Sequence, residues 1–356
     1  FYSGTPVVEI SGCSFDDCRA VDGGGVKVNG NLDMLTNCTF VSCGFGSGNG
    51  GAVNTRGPNN ADVLGCMADC SFTGCSAGWG GGALFVDNIG DVIRCAFTNN
   101  VSKSSGGGIY SGSILGVVED SIFVANTATT TAKGGGFCAN GGTISRLTGC
   151  EFVNNTADGE GGGIYMGGAV PEISECVFRD NTATNNGGGL VVGGAVTALS
   201  NSVFCGNVAI HAGSASGGAV CIKQAVGAIE GCAFTNNTAK TEGGAVYLSA
   251  GVTRLENCSF VGNTATGDAG GALSAQQLVG GVTNCTFACN RSGYHGGAIS
   301  TPNNIGPLAD STFVSNVAAQ AGGASATSAR RRFAQLGASE IVEAACSVTT
   351  NVLTCA

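Results

Sequence analysis

Apolar and polar positions alternate along the chain in runs of only three to five residues, each closed by Gly, Asn or Asp, and the runs recur. Phe stands at positions 15, 40, 72, 97, 123, 152, 178, 204, 234, 260, 287 and 313, at intervals of 25 to 32 residues. Five residues before each marker Phe the side chain is aliphatic or Met, from Ile10 and Leu35 through Met67 to Leu308. Two residues before it, nine of the twelve positions are Cys, as in Cys95-Ala96-Phe97 and Cys285-Thr286-Phe287. An in–out–in pattern of this kind has the period of a strand, not of a helix. The residue three before the marker is never apolar, which marks an outward polar column.

Two further columns place the turns. Three residues after the marker stand Cys18, Cys43 and Cys75, then Asn in every unit from Asn100 to Asn316. Each unit also carries a Gly-Gly pair followed by Ala or Gly and an apolar residue, as in Gly243-Gly244-Ala245-Val246. The Asn column predicts an amide ladder at one turn. The glycines predict a corner that needs positive φ or close backbone approach. Identical residues recurring at a fixed period suit a solenoid in which each coil stacks on the last. The predicted fold is therefore an all-β, right-handed parallel β-helix of about 12–13 coils, ~26 residues and three short strands per coil. Twelve coils at roughly 4.8 Å each make a column about 55–60 Å long. The array covers 1–328, a loop insertion 329–345 carries Arg330-Arg331-Arg332-Phe333, and 346–356 reads as a degenerate coil or C-terminal tail with Val348 in the Phe place.

Composition narrows the class. Gly is abundant (63 of 356 residues), but it does not fall at every third position and Pro is scarce, so collagen is excluded. An apolar fraction of 43% is too high for a disordered chain. No run is long and apolar enough for a spanning helix, so no membrane insertion is expected. A formal charge of −9 leaves no broad basic surface for nucleic acid. Arg330–Arg332 is the one basic cluster, read as a solvated insertion, with a processing site or an anion-contacting patch as the functional alternatives.

Phe-x-x-Asn joined to Gly-Gly-Ala-[Ile/Leu/Val] resembles the double signature of polymorphic outer-membrane-protein repeats. Phe234-Thr235-Asn236-Asn237 with Gly243-Gly244-Ala245-Val246 shows it, as does Phe287-Ala288-Cys289-Asn290 with Gly296-Gly297-Ala298-Ile299. The resemblance spans residues 1 to about 328. It implies a right-handed β-helix and an extracellular or cell-surface, non-catalytic role, with no individual binding residue carried over. The chain departs from the bacterial pattern in its dense Cys and in lacking a C-terminal barrel. Phe1-Tyr2-Ser3-Gly4 mirrors Ile109-Tyr110-Ser111-Gly112, so the chain begins in mid-coil. A segment of a longer array, or a subunit stacked end to end in a filament, is expected.

Nineteen Cys suit a buried thiol column better than zinc, because Cys-x-x-Cys spacing is absent. Candidate disulfides remain between Cys13 and Cys18, Cys38 and Cys43, Cys70 and Cys75, and Cys346 and Cys355, for geometry to decide. Sequons at Asn37, Asn154, Asn236, Asn257 and Asn284 fall on outward or turn positions and are candidate glycosylation sites. Asn100 and Asn290 also head sequons, but as ladder residues they should be buried.

Enzyme chemistry has little to stand on. Acids are scattered: Asp16 and Asp17 are adjacent and diverge, and no column collects carboxylates from consecutive coils, as glycoside chemistry requires. His211 and His295 sit at turns and share no partner. No cofactor, metal or phosphate loop is implied. Tyr2, Phe85, Tyr110, Tyr165 and Tyr247 share the position after the Gly-Gly apolar residue and are candidate partner-facing aromatics. The expected function is structural or adhesive. The expected partners are further copies, neighbouring domains of the same chain, or glycans. A polysaccharide lyase or hydrolase and a carbohydrate-binding module are the alternatives.

Overall fold

The computed structural model describes residues 1–327 except 58–60, 115, 212, 214, 279, 304 and 324. The insertion 329–345, Arg330–Arg332 and the 346–356 segment with Cys346 and Cys355 lie outside the described residues. The described chain contains no helix; it is a parallel β-helix with three hydrogen-bonded sheets. The Phe sheet has twelve strands, from Ser14–Asp16 to Thr312–Val314. A ten-stranded sheet of two-residue strands runs from Ser76–Ala77 to Val317–Ala318. The third sheet holds 23 strands in two columns, fused where Leu84–Ile93 and Val246–Glu256 pass through without a break.

Register follows the repeat. Phe15 pairs with Phe40, Phe40 with Phe72, and so on to Phe287 with Phe313. Their rings form one continuous stack, with centroids 4.7–5.0 Å apart and planes within 8° of parallel. The aliphatic column packs beside it, and both are solvent-free through the middle coils. Each inward Phe buries enough apolar area for about 2–3 kcal/mol.

Three left-handed residues per coil turn the strands. In every one of the twelve coils, the residue three before the marker Phe and the residue two after it have φ between 47° and 68°. The first of these columns reads as outward and polar from sequence; its real constraint is backbone conformation, which Asn, Asp and Gly adopt most easily. Arg94, Ala125 and Glu175 hold the same φ against their own steric preference. The third left-handed residue is the first Gly of the pair. A Cβ on Gly243 would lie 2.2 Å from the Val246 carbonyl oxygen, and one on Gly244 would lie 2.0 Å from that of Gly271 in the next coil. The corner therefore admits no side chain at either position.

The polar columns close the interior. From Asn126 to Asn263, each side-chain amide donates through Nδ2 to the Phe carbonyl of the coil before and to Oδ1 of the Asn in the coil after. Its Oδ1 accepts from the preceding coil's Asn, through both Nδ2 and backbone N–H. All bonding capacity of these buried amides is used. The Cys column works the same way with weaker partners. Cys38 and Cys258 N–H groups reach a neighbouring sulfur at 3.4 Å, whereas Ser121, Ser202 and Ser311 fill three positions of the column with an oxygen at 3.1 Å.

Candidate binding surface

With the interior consumed by packing, recognition falls to the outer wall. The five predicted aromatics share one outward column of the third sheet, but they are not equally available. Tyr2 is 68% exposed, whereas Phe85 and Tyr165 are only 5% and 7% exposed. Tyr110 and Tyr247 are half-buried. Side chains from neighbouring coils cover the middle members. The Arg56 guanidinium lies 5.4 Å from the Phe85 ring centroid, and Phe85 stacks on Tyr110 at 4.9 Å. Lys133 Nζ lies 4.2 Å above the Tyr165 ring and donates to its hydroxyl at 3.0 Å. Cys138, Tyr165, Val191 and Cys221 thus form a second apolar cluster, outside the main core, flanked by Tyr110 and Tyr247.

Two acids on the rim of this cluster show what neighbours do to a carboxyl. Glu160 and Glu242 each precede the left-handed Gly of their coil. Burial pushes Glu160 up, but hydrogen bonds from Lys223 (2.8 and 2.9 Å) and Asn186 (2.9 Å), with the Lys223 and Lys133 charges, more than offset it, so Glu160 sits below the ordinary carboxylate range. Glu242 has only the Ser274 hydroxyl, at 3.0 Å, and Asp268 opposes it; burial leaves it raised. Nearer the N-terminus, Asp87 pairs with Arg56 at 3.3 Å and is raised mainly by burial; among the described residues its Oδ2 makes no hydrogen bond.

One exposed feature escaped the sequence reading. Val21, Phe45 and Trp79, from three successive coils, are 61%, 64% and 69% exposed at one corner. Val21 and Trp79 share a column through Gly48: Trp79 N–H donates to Gly48 O at 2.9 Å, and Gly48 lies against the Val21 carbonyl, with Phe45 three residues earlier in the same loop as Gly48. The signal was available, since Trp79 is the single Trp and Phe45 is one of the few Phe outside the marker column.

The candidate glycosylation sites Asn37, Asn154, Asn236, Asn257 and Asn284 are all exposed, each at a left-handed corner. Asn100 and Asn290 are fully buried in the ladder. Asn284 Nδ2 donates to Asn257 Oδ1 at 2.8 Å, so these two amides touch along the column. The candidate cysteine pairs do not meet. Cys13 and Cys18, Cys38 and Cys43, and Cys70 and Cys75 are all free thiols. An extended strand separates each pair, and at about 3.3 Å per residue it holds them about 10 Å or more apart, beyond disulfide reach. Burial pushes the Cys38 thiol up to about 11 and the Cys138 and Cys221 thiols to about 12, so these side chains behave as small apolar groups. Among the described residues, no group of three or more His, Cys, Asp or Glu is placed to hold a metal ion. His211 is exposed, and the His295 ring lies 4.1 Å from that of Tyr294, tilted by 54°.

Fold and motifs together define a repeat-built parallel β-helix. Three stretches, 94–112, 149–167 and 231–249, match the Chlamydia polymorphic membrane protein repeat. Each match begins at a left-handed corner, runs through Phe-x-x-Asn and ends beyond the glycine turn, so each covers the greater part of one coil. No curated protein and no solved structure matches the chain.

Proposed function

We propose that the chain is a cell-surface structural and adhesive β-helix that works by shape and display. The repeat supports the surface assignment, since the matching family is one of membrane proteins. The observation that carries the adhesive reading is the exposed corner of Val21, Phe45 and Trp79. Two aromatic rings and an aliphatic side chain from three successive coils stand in solvent close to the glycine turns, at a cost that a structural spacer has no reason to bear. Rings presented in this way suit sugar faces or the apolar part of a protein partner. Exposed sequons on the Phe-sheet corners would carry glycans if the source glycosylates, away from the stacked interior.

The test uses beads coated with the chain. They are expected to bind intact cells or immobilised surface glycans, with at least a tenfold loss for the double variant Phe45→Ala, Trp79→Ala. Equal binding by that variant sinks the adhesive assignment. Release of new reducing ends or unsaturated sugars from a polysaccharide by the wild-type chain, at a rate above a denatured control, would make it an enzyme instead.

A further inference from the structure

Three polar side chains on the outer wall meet over an apolar floor, two of them on one oxygen of the third. Lys223 Nζ donates to both oxygens of Glu160, at 2.8 and 2.9 Å. Asn186 Nδ2 donates to the same Oε1 at 2.9 Å. The amide's other end is also held, because Oδ1 accepts the Ser216 backbone N–H at 3.0 Å. Beneath lie the buried Tyr165, Val191 and Cys221, with Lys223 Nζ 5.9 Å from the Tyr165 ring centroid. Amine, carboxylate and amide thus share a single oxygen atom as their meeting point, with an N–H aimed at the carbonyl oxygen.

We propose that Lys223 and Asn186 form an intramolecular isopeptide bond, with Glu160 as the proton carrier and the Ser216 N–H as the oxyanion donor. Transfer of one proton from Nζ to Glu160 turns the ion pair into a neutral amine and a neutral acid; this is the uphill step, because the Lys133 ammonium 3.9 Å from Glu160 favours the carboxylate. The Nζ lone pair attacks Cγ of Asn186, and negative charge gathers on Oδ1, where the N–H stabilises it. Glu160 passes its proton to Nδ2 and accepts another from the attacking nitrogen. The Cγ–Nδ2 bond breaks, and the released ammonia takes the second proton from Glu160 and leaves as ammonium. A Lys ammonium and an Asn amide become a secondary amide and ammonium, Glu160 ends as it began, and nothing is oxidised or reduced. Preorganisation of the three groups by three different coils supplies the proximity. The product would tie the turn of one coil to the sheet of the next by a covalent bond that needs no thiol.

Mass spectrometry tests this on the full chain, produced in bacteria and held folded at neutral pH until its mass is constant. The expected chain is lighter by one ammonia. Trypsin is expected not to cut after Lys223, giving a 180–240 peptide lighter by one ammonia, with fragment ions missing between 186 and 223. Glu160→Gln and Lys223→Arg should both show full mass; Lys223→Arg keeps the charge beside Glu160 and guards against loss of folding as the cause. Full mass with normal cutting in the wild type overturns the proposal. So does ammonia loss with normal cutting after Lys223, since that marks a succinimide at Asn186-Gly187. A cross-link that persists in Glu160→Gln overturns the proton-carrier role.

Discussion

The first three coils and the nine that follow build the same corner from different chemistry. From Asn100 onward the inside of the turn is an amide ladder with bonds of 2.8–3.1 Å. In the first three coils the same position is Cys18, Cys43 and Cys75, whose sulfurs reach the Phe carbonyls only at 3.5 and 3.9 Å where they reach them at all. The two materials join at the Asn100 amide, whose Oδ1 accepts the Cys75 N–H at 2.9 Å and whose Nδ2 donates to Phe72 O at 3.1 Å. Backbone and register are unchanged across that junction, so the left-handed corners and the Phe stack set the coil, and the ladder decides how firmly it is held. Because the strand pairing and the ladders join each coil to its two neighbours, stability should vary along the column, with the thiol end opening first.

The comparison can be broken most forcefully at the ring stack. Phe178→Ala, in the amide region, should cost about 3–5 kcal/mol, and Phe15→Ala, at the half-buried end, markedly less; urea unfolding of the two variants reads the difference. Next come the ladders themselves. Asn207→Ala strands two donors of Asn181 and leaves Phe178 O without its amide partner, and should cost about 2–4 kcal/mol. Cys43→Ala should cost about 1–2 kcal/mol, because only a small, weakly bonded side chain is lost. Equal losses would show that the amide network adds nothing beyond volume. A sharper version is Cys75→Asn, which extends the amide ladder by one rung. A gain of about 1 kcal/mol is expected, together with slower hydrogen exchange in the third coil. The smallest effect concerns the outer wall. Since burial raises the Glu242 pKa in the folded state, its charge opposes folding at neutral pH. Glu242→Gln should therefore stabilise by about 1 kcal/mol or less at pH 7. The gap to wild type should close as pH falls through the raised folded value and vanish below about pH 4, where the carboxyl is protonated in both states. A gap that widens on acidification would reverse the assignment.

What the sequence made legible was whatever recurs. The Phe column, the aliphatic column, the Asn ladder and the Gly-Gly corner each repeat at one place per coil, and each lies where that repetition predicts. What stayed hidden depends on contacts between unlike coils. Phe85 and Tyr165 lie in the column outside the main core yet are buried, and their cover comes from Arg56 and Lys133 in preceding coils, which no column announces. Lys223 reaches Glu160 across 63 residues, again without a repeating partner. The polar column before the Cys was visible as polar, while its reason, a left-handed backbone, shows only in φ. Val21, Phe45 and Trp79 break the pattern, and departures from a repeat are where recognition is best sought.

The uniform register has an evolutionary corollary. Because the top and bottom of any middle coil present the same Phe ring, the same amide and the same glycine corner, a whole unit can be duplicated or deleted in frame and the cut faces will still mate. Reach from the surface can thus be adjusted in steps of about 4.8 Å, by recombination between near-identical stretches of coding sequence, without re-solving the folding problem each time.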